Sequence, residues 1–327
     1  MNPKISVVLP VYNGAAYLAA AIESILSQEQ ADLELIIIDD GSKDDSASVV
    51  KAFQDPRIRF YQQENRGLAA TLNRGITLSA GEYIARQDQD DISLAGRLKK
   101  QADLLDANPG CALVGTRAEI WAGDTRTTRV HNHPSDNHTL KFDLLFDNPF
   151  VHSSVMLRKT AIDAVGLYST DSNRQPPEDY ELWSRIARVF EVANVPEMLL
   201  VYREFPGSMS RDAENPFLEK VIKISIENMS WYLGTVSPAP AIVDLARLAH
   251  GRVDGISPKP DFAYMRKALL EISSKIASSP SEEALLREKA INMVRSATLQ
   301  VRCNGQLWRI LRGIKDRIRS VIRKVKT

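Results

Sequence analysis

Along the first hundred residues, runs of consecutive apolar positions alternate with stretches in which apolar residues recur every three or four positions. Ile5-Ser6-Val7-Val8-Leu9, Leu35-Ile36-Ile37-Ile38, Arg57-Ile58-Arg59-Phe60-Tyr61 and Glu82-Tyr83-Ile84-Ala85 read as strands. Between them, Leu18, Ile22, Ile25 and Leu26, then Val49, Val50 and Phe53, then Leu68, Leu72 and Ile76 mark the apolar faces of three helices. Apolar strands separated by amphipathic helices predict an α/β fold with a mainly parallel sheet flanked by helices. Each crossover should be right-handed, and ligands in such sheets bind beyond the carboxyl ends of the strands. Asn13, Asp39-Asp40, Arg66 and Asp88-Asp90 each follow a strand in the same direction, so this topology gathers them at one rim.

Further along, Cys111 to Trp121 reads as a strand and Thr125 to Asn148 as a polar loop that includes His131, His133 and His138. Val151 to Leu157 alternates as a strand, Lys159 to Val165 makes a helical turn ended by Gly166, and Pro176-Pro177-Glu178-Asp179 opens a helix with Leu182, Ile186 and Val189 on one face. Met198 to Arg203 is the expected last strand. Beyond about residue 215 the pattern is helical, broken by Pro238-Ala239-Pro240 and Ser257-Pro258-Lys259-Pro260. The division expected is a domain of residues 1–210 and a helical C-terminal region of residues 211–327.

Composition is that of a soluble globular protein, 44% hydrophobic and 25% charged. No apolar run of about eighteen residues occurs, and Met-Asn-Pro-Lys-Ile-Ser-Val-Val runs into a strand without signal-peptide regions. The expectation is a protein that neither spans a membrane nor is exported by that route. Cys111 and Cys303 are far apart and lack metal-ligand spacing, which argues against a disulfide framework and fits a cytoplasmic setting. The net charge of +1 hides an asymmetry: from Arg302 to Thr327 nine Lys/Arg face Asp316 alone, a net +8 that leaves −7 on the rest. Positive charge confined to one end argues against a nucleic-acid partner.

The densest chemistry is Gln87-Asp88-Gln89-Asp90-Asp91, three carboxylates in four positions at a strand end. Crowded carboxylates repel unless a cation or solvent relieves them, and Asp88 and Asp90 can project toward one side of the sheet. Mg²⁺ or Mn²⁺ carrying a diphosphate suits such a site, because these ions take one or two carboxylates plus phosphate oxygens. The alternative is a polar turn with a helix N-cap at Asp91-Ile92-Ser93. Asp39-Asp40-Gly41-Ser42 has a turn as its plain reading, and Glu178-Asp179 has a helix N-terminus, where acids favour the dipole.

The order of these pieces resembles the family 2 inverting glycosyltransferases, which use a nucleotide-sugar donor and a GT-A fold. Ser6-Val7-Val8-Leu9-Pro10-Val11-Tyr12-Asn13, Ile36-Ile37-Ile38-Asp39-Asp40-Gly41-Ser42, Asn65-Arg66-Gly67-Leu68, Gly81-Glu82-Tyr83-Ile84-Ala85, Asp88-Gln89-Asp90-Asp91 with Arg97-Leu98, His152-Ser153-Ser154 and Glu178-Asp179-Tyr180-Glu181-Leu182-Trp183 carry the likeness over about residues 3–210. It implies that Pro10, Val11, Tyr12 and Asn13 shape a base pocket, that Asp40 accepts a hydrogen bond from the nucleobase imide, and that Arg66 contacts the nucleotide or its phosphates. Asp88 would lie by the ribose and metal, Asp90 would be the principal ligand of Mn²⁺ or Mg²⁺, and Asp179 would be the general base toward the acceptor hydroxyl. His152, Glu178 and Trp183 are candidate acceptor or phosphate contacts, with structural roles open for His152 and Trp183.

The same resemblance implies a UDP-sugar donor, a glycan or lipid-linked acceptor and a setting in bacterial surface-polysaccharide or lipopolysaccharide synthesis. Two departures matter. Where the family often has histidine in a Tyr-Arg-x-His-Pro-Gly-Ser segment, this chain has Phe205, and no Gln-x-x-Arg-Trp follows, which argues for a nonprocessive enzyme. A sugar-nucleotide pyrophosphorylase would need a Gly-rich basic loop where Pro10-Val11-Tyr12-Asn13-Gly14 stands. A noncatalytic, nucleotide-binding, membrane-associated partner protein is the other reading, against which Asp88, Asp90 and Asp179 argue.

Residues 307–325 place Leu307, Trp308, Ile310, Leu311, Ile314, Ile318, Val321, Ile322 and Val325 at helical spacing with Arg and Lys between them. A basic amphipathic helix of this kind can lie on an anionic membrane surface, making the protein peripheral on the cytoplasmic face of the inner membrane. Packing against the preceding helices is the alternative.

Overall fold

A computed structural model describes residues 3–29, 32–205 and 216–303. The chain forms two compact units, one of residues 1–144 and 148–220, the other of residues 145–147 and 221 onward. The first begins β1 (Ile5–Val11), α1 (Ala15–Leu26), β2 (Leu33–Asp39), α2 (Ser46–Lys51), β3 (Ile58–Gln62), α3 (Leu68–Leu78) and β4 (Tyr83–Arg86). It continues through β5 (Ile92–Ser93), α4 (Arg97–Ala107), β6 (Cys111–Ala122), β7 (Thr125–His131), α5 (Asn137–Asp143), β8 (Met156–Arg158), α6 (Lys159–Val165), α7 (Glu178–Val189) and β9 (Glu191–Glu204).

These strands make one sheet in the order β3-β2-β1-β4-β8-β6-β9-β5, with β7 paired to β6. β3, β2, β1 and β4 run parallel, and Val7 lies in register with Leu35 on one side and Ala85 on the other. Beyond β4 the sheet is mixed: β8 is antiparallel to β4 and β6, while β9 returns parallel to β6. Every residue of β1 and β2 is buried, as expected for strands covered on both faces. α1 buries Leu18, Ala21, Ile22 and Ile25, the face its periodicity marks. α3 lies so close that a Cβ on Gly75 would stand 2.4 Å from Val8 Cγ1.

Several expectations are corrected. Val151 to Leu157 is not one strand: His152–Ser154 makes a single 3₁₀ turn, and only then does β8 begin. Ser154 Oγ donates to the Val151 carbonyl at 2.8 Å and accepts from the Thr116 N–H at 3.1 Å, so its side chain takes up backbone groups that a ladder would have used. The expected loop from Thr125 to Asn148 contains β7 and α5, the helix capped by Asp136 accepting from the Thr139 N–H. The last strand is longer than expected, starting at Glu191. Asp91 caps no helix; α4 starts at Arg97 behind Gly96, whose φ is +78°.

α8 (Leu218–Leu233) begins in the last residues of the first unit, and α9 (Pro240–Ala249), α10 (Phe262–Ile276) and α11 (Pro280–Arg302) follow in the second. Pro240 and Pro280 sit in first turns, where the missing N–H costs nothing. Among the described residues no helix is long and apolar enough to cross a membrane. The basic segment 307–325 lies outside the described residues.

Candidate active site

The loop after β1 is the first wall. Asn13 takes a left-handed conformation, φ +51°, which asparagine tolerates better than most residues. It is held there by both ends: its N–H donates to Ser42 Oγ at 2.9 Å and its Oδ1 accepts from the Lys43 N–H at 2.8 Å. Tyr12 stays 47% exposed at the tip.

Of the paired acids after β2, Asp39 builds the turn, accepting from the Ser42 N–H at 2.8 Å. Asp40 reaches across to the start of α3, where its oxygens accept from the Arg66 N–H (2.8 Å), the Gly67 N–H (2.9 Å) and Gln63 Nε2 (2.6 Å). A carboxylate offers about four lone-pair positions, so Asp40 is fixed in place with acceptor capacity to spare. The Arg66 side chain is exposed.

The carboxylate cluster follows β4. Pro10, Val11, Tyr12, Asp40, Asn65, Gly67, Leu68, Thr71, Asp88, Gln89 and Asp90 line one cavity of about 280 Å³. Six expected site residues therefore meet at the carboxyl rim of the parallel strands, while Asn13 and Arg66 stand outside the cavity lining. Asp90 is pushed up to about 6 by burial and by the charge of Asp88, with Arg86 and Arg203 acting against the rise. Asp91 is buried away from the cavity, accepting from Ser153 Oγ and, at 2.9 Å, from the Arg203 N–H. Burial and the neighbouring acids raise its proton affinity strongly.

The sequence reading gave no role to Arg86. It is 3% exposed, and its Nη1 lies 2.5 Å from Asp88 Oδ1. A guanidinium at the end of an apolar strand was the available signal, since such a charge stays buried only beside counter-charges. Arg203 likewise closes under the cluster, donating from Nη1 to the Asp90 carbonyl at 2.6 Å while its guanidinium covers the Tyr17 ring. Phe205 packs on that same ring, with centroids 5.0 Å apart.

Asp179 is the second residue of α7 and accepts from Asn148 Nδ2 at 2.7 Å and from the Tyr180 N–H at 2.8 Å. It is pushed up to about 7 by burial and then by Glu178, while the Tyr180 bond and Arg86 pull the other way. Glu178 is buried and raised as well. Arg86 thus acts on the carboxylates of the cavity and on those of α7 alike. His152 Nε2 meets the Tyr168 hydroxyl at 3.1 Å, and both rings stand edge-on to the buried Trp183. Burial and Arg86 hold His152 neutral. Neither His152, Glu178, Asp179 nor Trp183 lines the cavity of Asp88 and Asp90.

The model of the family described as glycosyl transferase family 2 matches residues 6–166. EpsE of Bacillus subtilis strain 168, a glycosyltransferase by its name, is 34% identical over 217 residues, 64% of this chain and 76% of that one. The chain belongs to glycosyl transferase family 2. A further relative, an uncharacterized glycosyltransferase of Haemophilus influenzae, is 29% identical over 245 residues, 72% of this chain and 76% of that one. Residues 1–349 of S. aureus TarS, crystallised with UDP-GlcNAc, match with a TM-score of 0.60 at 16% identity, covering 91% of each chain. The mannosyltransferase PcManGT of Pyrobaculum calidifontis, in complex with GDP-Man and Mn²⁺, matches with a TM-score of 0.54 at 17% identity over 92% of this chain and 87% of that one. The fold of this family 2 protein is GT-A, and it is a glycosyltransferase.

Proposed function

We propose that this chain is a nonprocessive inverting glycosyltransferase that moves a sugar from a UDP-sugar to a glycan or lipid-linked acceptor. Mn²⁺ or Mg²⁺ belongs at Asp90 with help from Asp88, and Asp179 serves as the general base. The reading is carried by the cavity in which Asp40 and the Pro10–Tyr12 loop face Asp88 and Asp90. It has an acceptor for a base imide in Asp40 and, in Asp88 and Asp90, carboxylates for a cation-bound diphosphate.

The donor set fits a hard cation. Asp88 spends part of its charge on Arg86, so Asp90 is the freer ligand, and its raised proton affinity marks a carboxylate that a nearby cation would relieve. A divalent cation, when bound, supplies a Lewis acid for the charge developing on the leaving diphosphate. Phosphate oxygens and water would complete the shell of an ion held by one or two carboxylates.

Asp179, held by Asn148 and the Tyr180 N–H, has a proton affinity matched to neutral pH, which favours taking the acceptor hydroxyl proton. Attack opposite the leaving group in one displacement inverts the anomeric centre.

The test is donor hydrolysis and nucleotide binding across UDP-, GDP- and dTDP-sugars with Mn²⁺ or Mg²⁺, comparing wild type with Asp90→Ala. Release of one nucleotide, abolished by chelation or by Asp90→Ala, supports the site and names the donor. Tight metal-dependent binding without hydrolysis, and without transfer to any acceptor offered, favours the noncatalytic partner. Absence of nucleotide binding refutes the reading.

A further inference from the structure

The two walls of the cavity come from segments 77 residues apart, and one side chain ties them together. Gln89, the residue between the two cavity aspartates, sets its amide on the backbone of Tyr12. Its Oε1 accepts from the Tyr12 N–H at 2.8 Å, and its Nε2 donates to the Tyr12 carbonyl at 3.1 Å. A two-point bond of this kind fixes the direction of the loop as well as its distance. On the far side the same loop is held by the turn after β2 through Ser42 and Lys43, by Ser46 Oγ on the Gly14 N–H at 3.0 Å, and by Asp44 on the Ala15 N–H at 3.0 Å. Gln89 supplies the restraint from the carboxylate side.

Gly14 belongs to this arrangement for a steric reason. Its φ is −108°, which any L-residue adopts, yet a Cβ there would stand 2.3 Å from Gln89 Oε1 and 2.5 Å from Gln89 Cδ. The space a side chain would take at position 14 is the space the Gln89 amide occupies. Because that amide is the end of a flexible side chain, a methyl group at Gly14 displaces it from Tyr12 without forcing the backbone.

We infer that Gln89 is a positioning residue that holds the Tyr12 loop against the carboxylate loop, so that the base-binding wall is formed before the nucleotide arrives. The inference rests on the nucleotide-sugar reading and deepens it. Tyr12 is half exposed, and among the described residues its backbone hydrogen-bonds to Gln89 alone, so without Gln89 the tip is ordered by the ligand and binding weakens by that ordering cost.

The experiment measures binding of UMP, with GMP and dTMP run alongside, by calorimetry without added metal. The proteins are the full chain as wild type, Gln89→Ala, Gln89→Met, Gly14→Ala and the Gln89→Ala/Gly14→Ala double variant. UMP carries no diphosphate and the assay no cation, so a disturbance of the metal ligand Asp90 alone is not read. Two hydrogen bonds of ordinary net strength predict a loss of roughly five- to a hundredfold in each Gln89 variant. Gly14→Ala should lose about as much, and the double variant no more than the larger single loss, since both substitutions break one clamp. Melting temperatures should stay close to wild type. Losses that multiply in the double variant, or UMP binding unchanged in either Gln89 variant, each overturn the inference and leave the nucleotide reading standing. Failure of all three monophosphates to bind wild type overturns both.

Discussion

Asp179→Asn separates a functional carboxylate from a structural one through the pH dependence of stability. In the unfolded chain this carboxyl ionises near its ordinary value of 3.8, whereas in the folded protein burial and Glu178 push it up to about 7. Between those two values the folded state binds more protons than the unfolded state, so the group takes stability away as pH rises and holds that deficit above pH 7. At about 1.4 kcal/mol per pH unit the deficit is at most about 4 kcal/mol. The amide is uncharged and escapes it. It has one acceptor where the carboxylate meets two donors, Asn148 Nδ2 and the Tyr180 N–H, which gives back about 1–2 kcal/mol. Asp179→Asn should therefore stabilise the first unit by about 1–3 kcal/mol at pH 8 and by nothing, or slightly less than nothing, near pH 4. Transfer to the acceptor should meanwhile fall by about 10²–10⁴-fold. Urea unfolding of both proteins at pH 4, 6 and 8 measures the first quantity, and transfer once an acceptor is found measures the second. A variant destabilised by the same amount at every pH refutes the strained-carboxylate argument. A variant stabilised at pH 8 that still transfers sugar refutes the role as base.

Arg86→Met removes the cation that faces Asp88, Asp90, Asp91 and Asp179. Loss of one partner from a buried pair should cost about 3–5 kcal/mol in urea unfolding, and the alkaline-rising limb of the transfer rate should move to higher pH because Asp179 loses its counter-charge. Gly75→Ala puts a Cβ 2.4 Å from Val8 Cγ1 where α3 meets β1 and should cost about 1–3 kcal/mol by overpacking, read as a lower thermal midpoint. Residues 307–325, read as a basic amphipathic helix, predict co-sedimentation of the full chain with vesicles containing phosphatidylglycerol but not with phosphatidylcholine vesicles; binding to neither refutes the membrane reading.

The gathering of the site at one rim was legible because it depends on the order of strands and helices, and that order shows in the spacing of apolar residues. Asp40, Asp88 and Asp90 needed only the direction of their strands to be brought together. What decides how those residues behave was hidden. Gln89 meets Tyr12 across 77 residues and Asn148 meets Asp179 across 31, and neither pairing leaves a local signal. The segment from Val151 to Leu157 had the alternation of a strand, but Ser153 and Ser154 form other bonds: Ser153 Oγ goes to Asp91, its carbonyl accepts from Arg97 Nη1 at 2.6 Å, and Ser154 serves the backbone of Val151 and Thr116. Side-chain competition for backbone groups defeats a period-of-two argument wherever serines replace branched residues.

Phe205 and the Arg86–Asp88 pair together lower the affinity of the free site for a cation. Phe205 is packed on Tyr17 and offers no ligand. Asp88 is drawn to Arg86. Of Asp88 and Asp90, Asp90 is then the one without an ion pair among the described residues, and a divalent ion held chiefly by it and by water gains little over bulk solution. Diphosphate oxygens change that balance by supplying further ligands and charge. Mn²⁺ should accordingly bind the free protein weakly, and UDP should tighten it by at least about tenfold, with Mn²⁺ tightening UDP by the same factor as linkage requires. Calorimetry in both orders of addition, with Mn²⁺ first and with UDP first, closes that cycle. Arg86→Met frees Asp88 and should raise the affinity for Mn²⁺ alone while shrinking the factor contributed by UDP. Tight binding of Mn²⁺ to the wild-type protein without nucleotide is incompatible with a site built from Asp90 and a paired Asp88, and would require ligands from elsewhere in the chain.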